Sequence, residues 1–282
     1  MPYKTILVHL NNDLRVPRLI NAAVQLALSS NAHLTGLFVV PHVMPVSSPI
    51  FPGISGAIIK SGLDSYRKTA EVAHVAFEEA TKGLPFVAEW RLHEPKHAGY
   101  VDAVLDHARA ADLVICAQKE SDWDMGDMFD VPDALALDSG RPVLVIPKTA
   151  SMNTLAERIL VAWNNSRESA RAVFDALPLL KTAKDVRVLC VEEPSKPQTQ
   201  RDHPAAEICG ALARNGVNCI ADQIRQSKHR EPGEELLEQI AKNNCDLLVM
   251  GCYGRSRLRE FILGGASRHV LKHATVPVLM SH

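Results

Sequence analysis

The chain has 282 residues, 46% of them apolar, 22% charged and 5% aromatic, and its 31 Lys+Arg nearly balance 32 Asp+Glu for a formal net charge of -1. This composition excludes disordered, collagenous and disulfide-scaffold chains, and the length suffices for two domains with cores of their own. Nucleic acid is not an expected partner, because sequence-independent phosphate binding needs a clear excess of Lys and Arg.

No apolar run approaches the ~18 residues of a membrane span, and the N-terminal MPYKTILVHL reads as the start of a strand instead of a secretory leader. A cytoplasmic location without a membrane partner is expected. Cys116, Cys190, Cys209, Cys219, Cys245 and Cys252 form no C-x-x-C pair. They are expected to pack as reduced small hydrophobes, without zinc or structural disulfides.

In chain order, short β-branched runs alternate with helical patterns. In the first part, strands are expected near 4–10, 33–40, 86–91, 112–117 and 142–147, with helices near 15–30, 55–82, 97–110 and 128–138. The pattern then starts again. Strands are expected near 157–163, 185–191, 217–223, 246–251 and 276–280, with helices near 166–181, 201–214, 232–243 and 264–274.

The residues themselves repeat. Thr5-Ile6-Leu7-Val8 returns as Arg158-Ile159-Leu160-Val161, Ala111-Asp112-Leu113-Val114 as Cys245-Asp246-Leu247-Leu248, and Pro142-Val143-Leu144-Val145 as Pro277-Val278-Leu279-Met280. Two five-stranded parallel α/β domains follow, over 1–148 and 157–282. The first copy is longer in its middle, where Pro41 to Gly53 forms an irregular, fairly apolar loop.

Ligands of open α/β sheets bind at the carboxyl ends of strands, beside helix N-termini. After the fourth strand of the second copy stand Gly251-Cys252-Tyr253-Gly254, a run with Arg255, Arg257 and Arg259, and then Gly264-Gly265-Ala266-Ser267-Arg268. Glycines let backbone amides approach a ligand, and a helix opening at Gly264-Gly265 adds N–H donors and a positive dipole end. Four arginines against the single acid Glu260 suit a polyphosphate. In the first copy Ala117 and Glu120 replace the first two glycines, and seven acids follow from Glu120 to Asp138 without a Lys or Arg. A nucleotide site is therefore expected in the second copy only.

These features resemble a tandem universal stress protein, through the doubled Ile-Leu-Val strands and the Gly-x-x-Gly-x9-Gly stretch. The family motif continues with Ser or Thr where this chain has Gly265. The resemblance implies two Rossmann-like domains of the adenine nucleotide alpha hydrolase type, packed as a pseudo-dimer through their last strands, Val143 to Ile146 against Val276 to Met280. It also implies an adenine nucleotide such as ATP, with or without magnesium, bound by Asn164, Val191, Gly251, Gly254, Gly264, Gly265, Ala266 and Ser267. Asn164 stands at the family's acidic position and would accept from the adenine amino group. Asn11 is its counterpart in the first copy, which reads as degenerate, with a structural or interaction role. The implied role is a stress-response sensor or regulator with slow or no hydrolysis, an unknown protein partner, and further homodimerisation.

Two other readings stay open: a nucleotide-free scaffold, and a metal-dependent hydrolase centred on His93 and His97. His93-Glu94-Pro95-Lys96-His97 matches H-E-x-x-H, yet Pro95 opposes the helix which that motif requires. His269 and His273 share a helix face without an evident third ligand, and Trp163 either flanks the pocket or packs in the core. No phosphate-loop lysine motif or nucleophile elbow is present. The net charge divides unevenly, with 13 Lys+Arg against 17 Asp+Glu in residues 1–150 and 18 against 15 in the remainder.

Overall fold

A computed structural model describes residues 2–11, 14–41, 56–96, 99–119, 131–150, 152, 154–192, 205–227, 230–252 and 265–282. Its ten strands form one sheet. In the first half these are β1 (Thr5–His9), β2 (His33–Val39), β3 (Ala88–His93), β4 (Leu113–Ala117) and β5 (Val143–Ile146). The second half adds β6 (Arg158–Ala162), β7 (Asp185–Glu192), β8 (Ile220–Arg225), β9 (Leu247–Gly251) and β10 (Val278–Ser281). The order across the sheet is β3-β2-β1-β4-β5-β10-β9-β6-β7-β8.

Within each half every pairing is parallel, and the halves join where β10 lies antiparallel to β5, with Leu279 opposite Leu144. The expected pairing of the two last strands is present. It also covers two edges that would otherwise be open. Because this junction is antiparallel, the carboxyl ends of the two sets of strands face opposite margins of the sheet.

Helices cover both faces, as the apolar strand sequences require. One face packs α1 (Val16–Ser30), α2 (Gly56–Thr81), α5 (Arg167–Asp175), α6 (Leu177–Leu180) and α7 (Ala206–Arg214) over a core that includes Ile6, Val8, Ile159 and Val161. The other packs α3 (Tyr100–Ala108), α4 (Val131–Asp138), α8 (Pro232–Lys242) and α9 (Gly265–His273) over Leu7, Val114, Leu160 and Leu248. Both cores run through the two halves. Tyr3 reinforces the junction, donating from its hydroxyl to the Asp175 carbonyl at 2.8 Å.

The repeated Asp of the sequence has a repeated structural task. Asp112 Oδ2 accepts from the backbone N–H of Lys4 and Thr5 at 2.8 and 3.0 Å. Asp246 accepts from Arg158 and Glu157 at 2.8 and 3.1 Å. Each carboxylate thereby fastens the first residues of its half's central strand.

Two expected elements differ. The single helix expected over 166–181 is two helices, because Pro178 lacks the N–H that would continue α5 into α6. The third strand of the second half starts at Ile220 instead of residue 217, after a turn in which Gly216 has φ +81°. The apolar segment of the first copy lies largely outside the described residues.

Candidate functional site

The strand order reverses between β1 and β4 in the first half and between β6 and β9 in the second, which are the places where open α/β sheets hold ligands. At the second of these, Ala162 pairs with Leu189 of β7 and Met250 of β9, and the Trp163 N–H carries the ladder one residue further, to the Leu189 carbonyl at 2.9 Å. Asn164, two residues beyond the end of β6, Val191, the penultimate residue of β7, and Gly251 at the end of β9 therefore lie at the carboxyl ends of three adjacent strands. Sequence reasoning placed these three together, and the topology does so too.

Asn164 is exposed, and its Oδ1 already accepts the Ser166 N–H at 3.1 Å. A ligand would meet its other lone pair or its amide N–H groups. Ser166 then caps α5: its Oγ accepts the Ser169 N–H at 3.1 Å, while Ser169 Oγ accepts the Ser166 N–H at 3.1 Å. This reciprocal box fixes the start of α5 directly behind the carboxyl end of β6.

Gly251 is explained first by packing. A β-carbon there would lie 2.4 Å from the Glu168 carbonyl carbon and 2.5 Å from the Ser169 nitrogen. The bare glycine backbone lets α5 press against β9, as no other residue would. Glu168 itself is a buried carboxylate at the N-terminal turn of α5, paired with Arg167 at 3.1 Å. Burial would raise its carboxyl, but the opposing effects of its own backbone N–H, the Ser166 hydroxyl and the Arg167 charge hold it below the usual range.

The remaining expected contacts belong to the start of α9. Gly265 is exposed, Ala266 half-buried and Ser267 buried with 5% of its surface accessible, so the Ser267 hydroxyl is not an open group on the margin. Gly254, Gly264 and the arginines from Arg255 to Arg259 lie outside the described residues. The beginning of α8 crosses here. At Gly233 a β-carbon would fall 2.8 Å from His269 Cβ and 3.0 Å from the Ala266 carbonyl oxygen. Glu231, the cap of α8, places a carboxylate oxygen 3.3 Å from where a β-carbon of Gly265 would be.

The corresponding margin of the first half is built differently. Ala117 ends β4 in place of glycine, and the Arg15 guanidinium at the cap of α1 donates to the Gln118 carbonyl. The Gln118 side chain is buried and crosses to the other half, where its amide donates to the carbonyls of Leu271 at 2.8 Å and Ala274 at 3.3 Å. It serves the C-terminal end of α9. At the matching position Cys252 is fully buried, with its Sγ 3.3 Å from the Ser281 carbonyl oxygen and 3.7 Å from that of Ala136 in α4. Asn11 Oδ1, counterpart of the engaged Asn164 oxygen, is buried without a hydrogen-bond partner.

Glu168, Glu231, Arg15 and Gln118 were missed in the sequence. Only the Ser-x-x-Ser spacing before α5 carried a local signal, that of a helix start. The other contacts join residues far apart in the chain.

The remaining motifs resolve into packing. His93 ends β3, Glu94 pairs with Arg67 at 2.9 Å, and His93 Nδ1 lies 3.4 Å from His107 Nε2, whereas His97 lies outside the described residues. Among the described residues no group of three His, Cys, Asp or Glu side chains could hold a metal ion. The His269 and His273 rings lie tilted against each other, with centroids 4.6 Å apart and an interplanar angle of 41°. Trp163 is 8% exposed and belongs to the core under α5 and α7, its indole N–H without an acceptor. No helix among the described residues is long and apolar enough to cross a membrane.

Comparison with known proteins agrees with this architecture. The profile of the universal stress protein family matches residues 156–282. A universal stress protein of Methanocaldococcus jannaschii is 33% identical over 76 residues, which are 25% of this chain and 45% of the relative. The chain thus spans less than half the length of that curated relative. Among solved structures, a universal stress protein from Archaeoglobus fulgidus superposes with a TM-score of 0.70 at 16% identity, over 98% of this chain and 97% of the other. A functionally unknown protein from Pseudomonas aeruginosa superposes with a TM-score of 0.61 at 14% identity, over 99% and 92%. The second half of the chain, residues 156–282, matches the universal stress protein family, and the two five-stranded halves repeat one topology.

Proposed function

We propose that this chain is a cytoplasmic stress-response sensor or regulator that binds an adenine nucleotide at the carboxyl margin of its second half, and that it holds the nucleotide instead of transforming it. The contrast between the two margins supports this reading most. In the second half, exposed Asn164 stands at the strand-order reversal, beside the capped start of α5 and the glycine that ends β9. In the first, Arg15 closes onto the Gln118 carbonyl and alanine replaces the glycine. The glycine and arginine run from Gly251 to Arg268 adds the donors and positive charge that phosphates favour. Magnesium would accompany the phosphates, and whole chains would pair further into homodimers that present the bound state to a protein partner.

Equilibrium dialysis of the full chain against labelled ATP, ADP, AMP and adenosine tests this. Retention of one ligand per chain, lost when Asn164 is replaced by Leu, is expected. No retention of any of them would refute it. The competing reading, a nucleotide-free scaffold, draws on the absence of an acid at Asn164 and of a hydroxyl at Gly265.

A further inference from the structure

The cysteines divide by exposure. Cys116, Cys190, Cys245 and Cys252 are buried, whereas Cys209 and Cys219 are only half-buried. Cys209 lies on α7, and Cys219 directly precedes β8, the strand that ends the sheet. Between them the chain reverses tightly. The Val217 N–H donates to the Leu212 carbonyl at 3.0 Å and the Gly216 N–H to the Ala213 carbonyl at 2.9 Å, with Gly216 at φ +81°. The strand arm therefore runs back along the last turns of the helix, and the two cysteines, equally spaced on either side of Arg214, pack against the same core. Their thiols share a hydrogen bond. Cys190 also lies near Cys209, but it is 5% exposed.

A disulfide forms without backbone movement only where two side chains already converge, and the contact between these thiols meets that requirement. We propose that Cys209 and Cys219 are a peroxide-modification site, forming a reversible disulfide that ties α7 to the start of β8. Hydrogen peroxide and two thiols give one disulfide and two waters. The Cys219 sulfur, as thiolate, attacks one peroxide oxygen and the O–O bond breaks; the departing hydroxide takes up a proton, and Cys219 is left as a sulfenic acid. The Cys209 sulfur then attacks the Cys219 sulfur. The S–S bond forms, the S–O bond breaks, and the departing hydroxide takes the Cys209 proton. Each sulfur is oxidised by one electron and the peroxide is reduced by two. Burial, and then the contact with Cys219, push the Cys209 thiol up to about 12, so it suits the second role and its attack is the slow step. No residue of the carboxyl margin takes part, so this site is independent of the nucleotide reading.

Mass spectrometry of the full, reduced chain after treatment with hydrogen peroxide tests the proposal. The remaining thiols are alkylated in denaturant, and trypsin, cleaving after Arg214, separates the two cysteines. Expected is a linked pair of peptides carrying Cys209 and Cys219, lost on reduction with dithiothreitol, with Cys116, Cys190, Cys245 and Cys252 alkylated. In Cys209→Ser, whose folding a thermal melt confirms, a diketone probe should trap sulfenic acid at Cys219, and no adduct there would overturn the assigned order of attack. Cys209 and Cys219 both alkylated, both over-oxidised without a link, or Cys209 joined to Cys190 instead, would overturn the site itself.

Discussion

Replacing Gly251 by alanine probes the packing of helix against sheet on which the second-half margin is built. The new β-carbon would lie 2.4 Å from the Glu168 carbonyl carbon and 2.5 Å from the Ser169 nitrogen, both backbone atoms that no side-chain rotation can remove. Ordinary contact begins near 3.4 Å, so α5 must retreat by about 1 Å. A radial gap of about 1 Å forfeits roughly a quarter to a half of each dispersion contact, and the α5 side chains Ala172 and Val173 are fully buried in the core. Overpacking of this kind costs about 1–3 kcal/mol and occasionally more, and about 3 kcal/mol is expected where the obstacle is backbone. For a chain of this size that lowers Tm by roughly 6–12 °C. Differential scanning calorimetry measures it, with Ala117→Gly as the comparison. That exchange relieves no contact and costs only the roughly 0.5–1 kcal/mol of a glycine within a strand. A Gly251→Ala protein melting within 1 °C of the natural chain would refute the packing argument.

Three further predictions follow from individual contacts. Asp246→Ala and Asp112→Ala each remove a carboxylate that accepts two backbone N–H groups, so each should lose about 1–3 kcal/mol in urea unfolding, and a loss below about 0.5 kcal/mol would contradict the anchoring role. Gln118→Leu deprives the Leu271 and Ala274 carbonyls of their shared donor across the junction, so amide exchange in α9 should accelerate although the change lies in the other half; unchanged exchange there would count against the link. His9 is 1% exposed, and burial pushes its imidazole down to about 4 while Tyr100 holds it at 3.0 Å. The unfolded chain protonates this histidine near pH 6.5, so stability should fall progressively as pH drops from about 6.5 to about 4, by about 3 kcal/mol in all. His9→Gln should flatten that part of the pH curve, and an unaltered slope would show that other groups cause it.

The repeated strand sequences made the fold legible. Runs such as Ile6-Leu7-Val8 and Ile159-Leu160-Val161 demand burial on both faces, which a parallel sheet with helices on each side provides. The junction of Val143-Leu144-Val145 with Val278-Leu279-Met280 was expected from the family resemblance, and the pairing covers two apolar edges that would otherwise be open. Local rules also located the carboxyl margin and the helix that begins near residue 166.

What the sequence hid were contacts between segments with no local signature. Glu231 reads as one more acid before a helix, and only the crossing of α8 over α9 at Gly233 sets it against Gly265. Gln118 reads as an ordinary polar residue after a strand, yet the antiparallel junction delivers it to the end of α9. Gly251 was read as a ligand-facing glycine, and its nearest neighbours prove to be the backbone of α5.

The central claim, that the second half alone holds an adenine nucleotide, is tested most directly by amide chemical shifts of the full chain on titration with AMP. Saturable shifts at Asn164, Val191, Gly251 and Gly265, with Asn11 and Ala117 unmoved, are predicted. Shifts at Asn11 and Ala117, or none in either half, would contradict it.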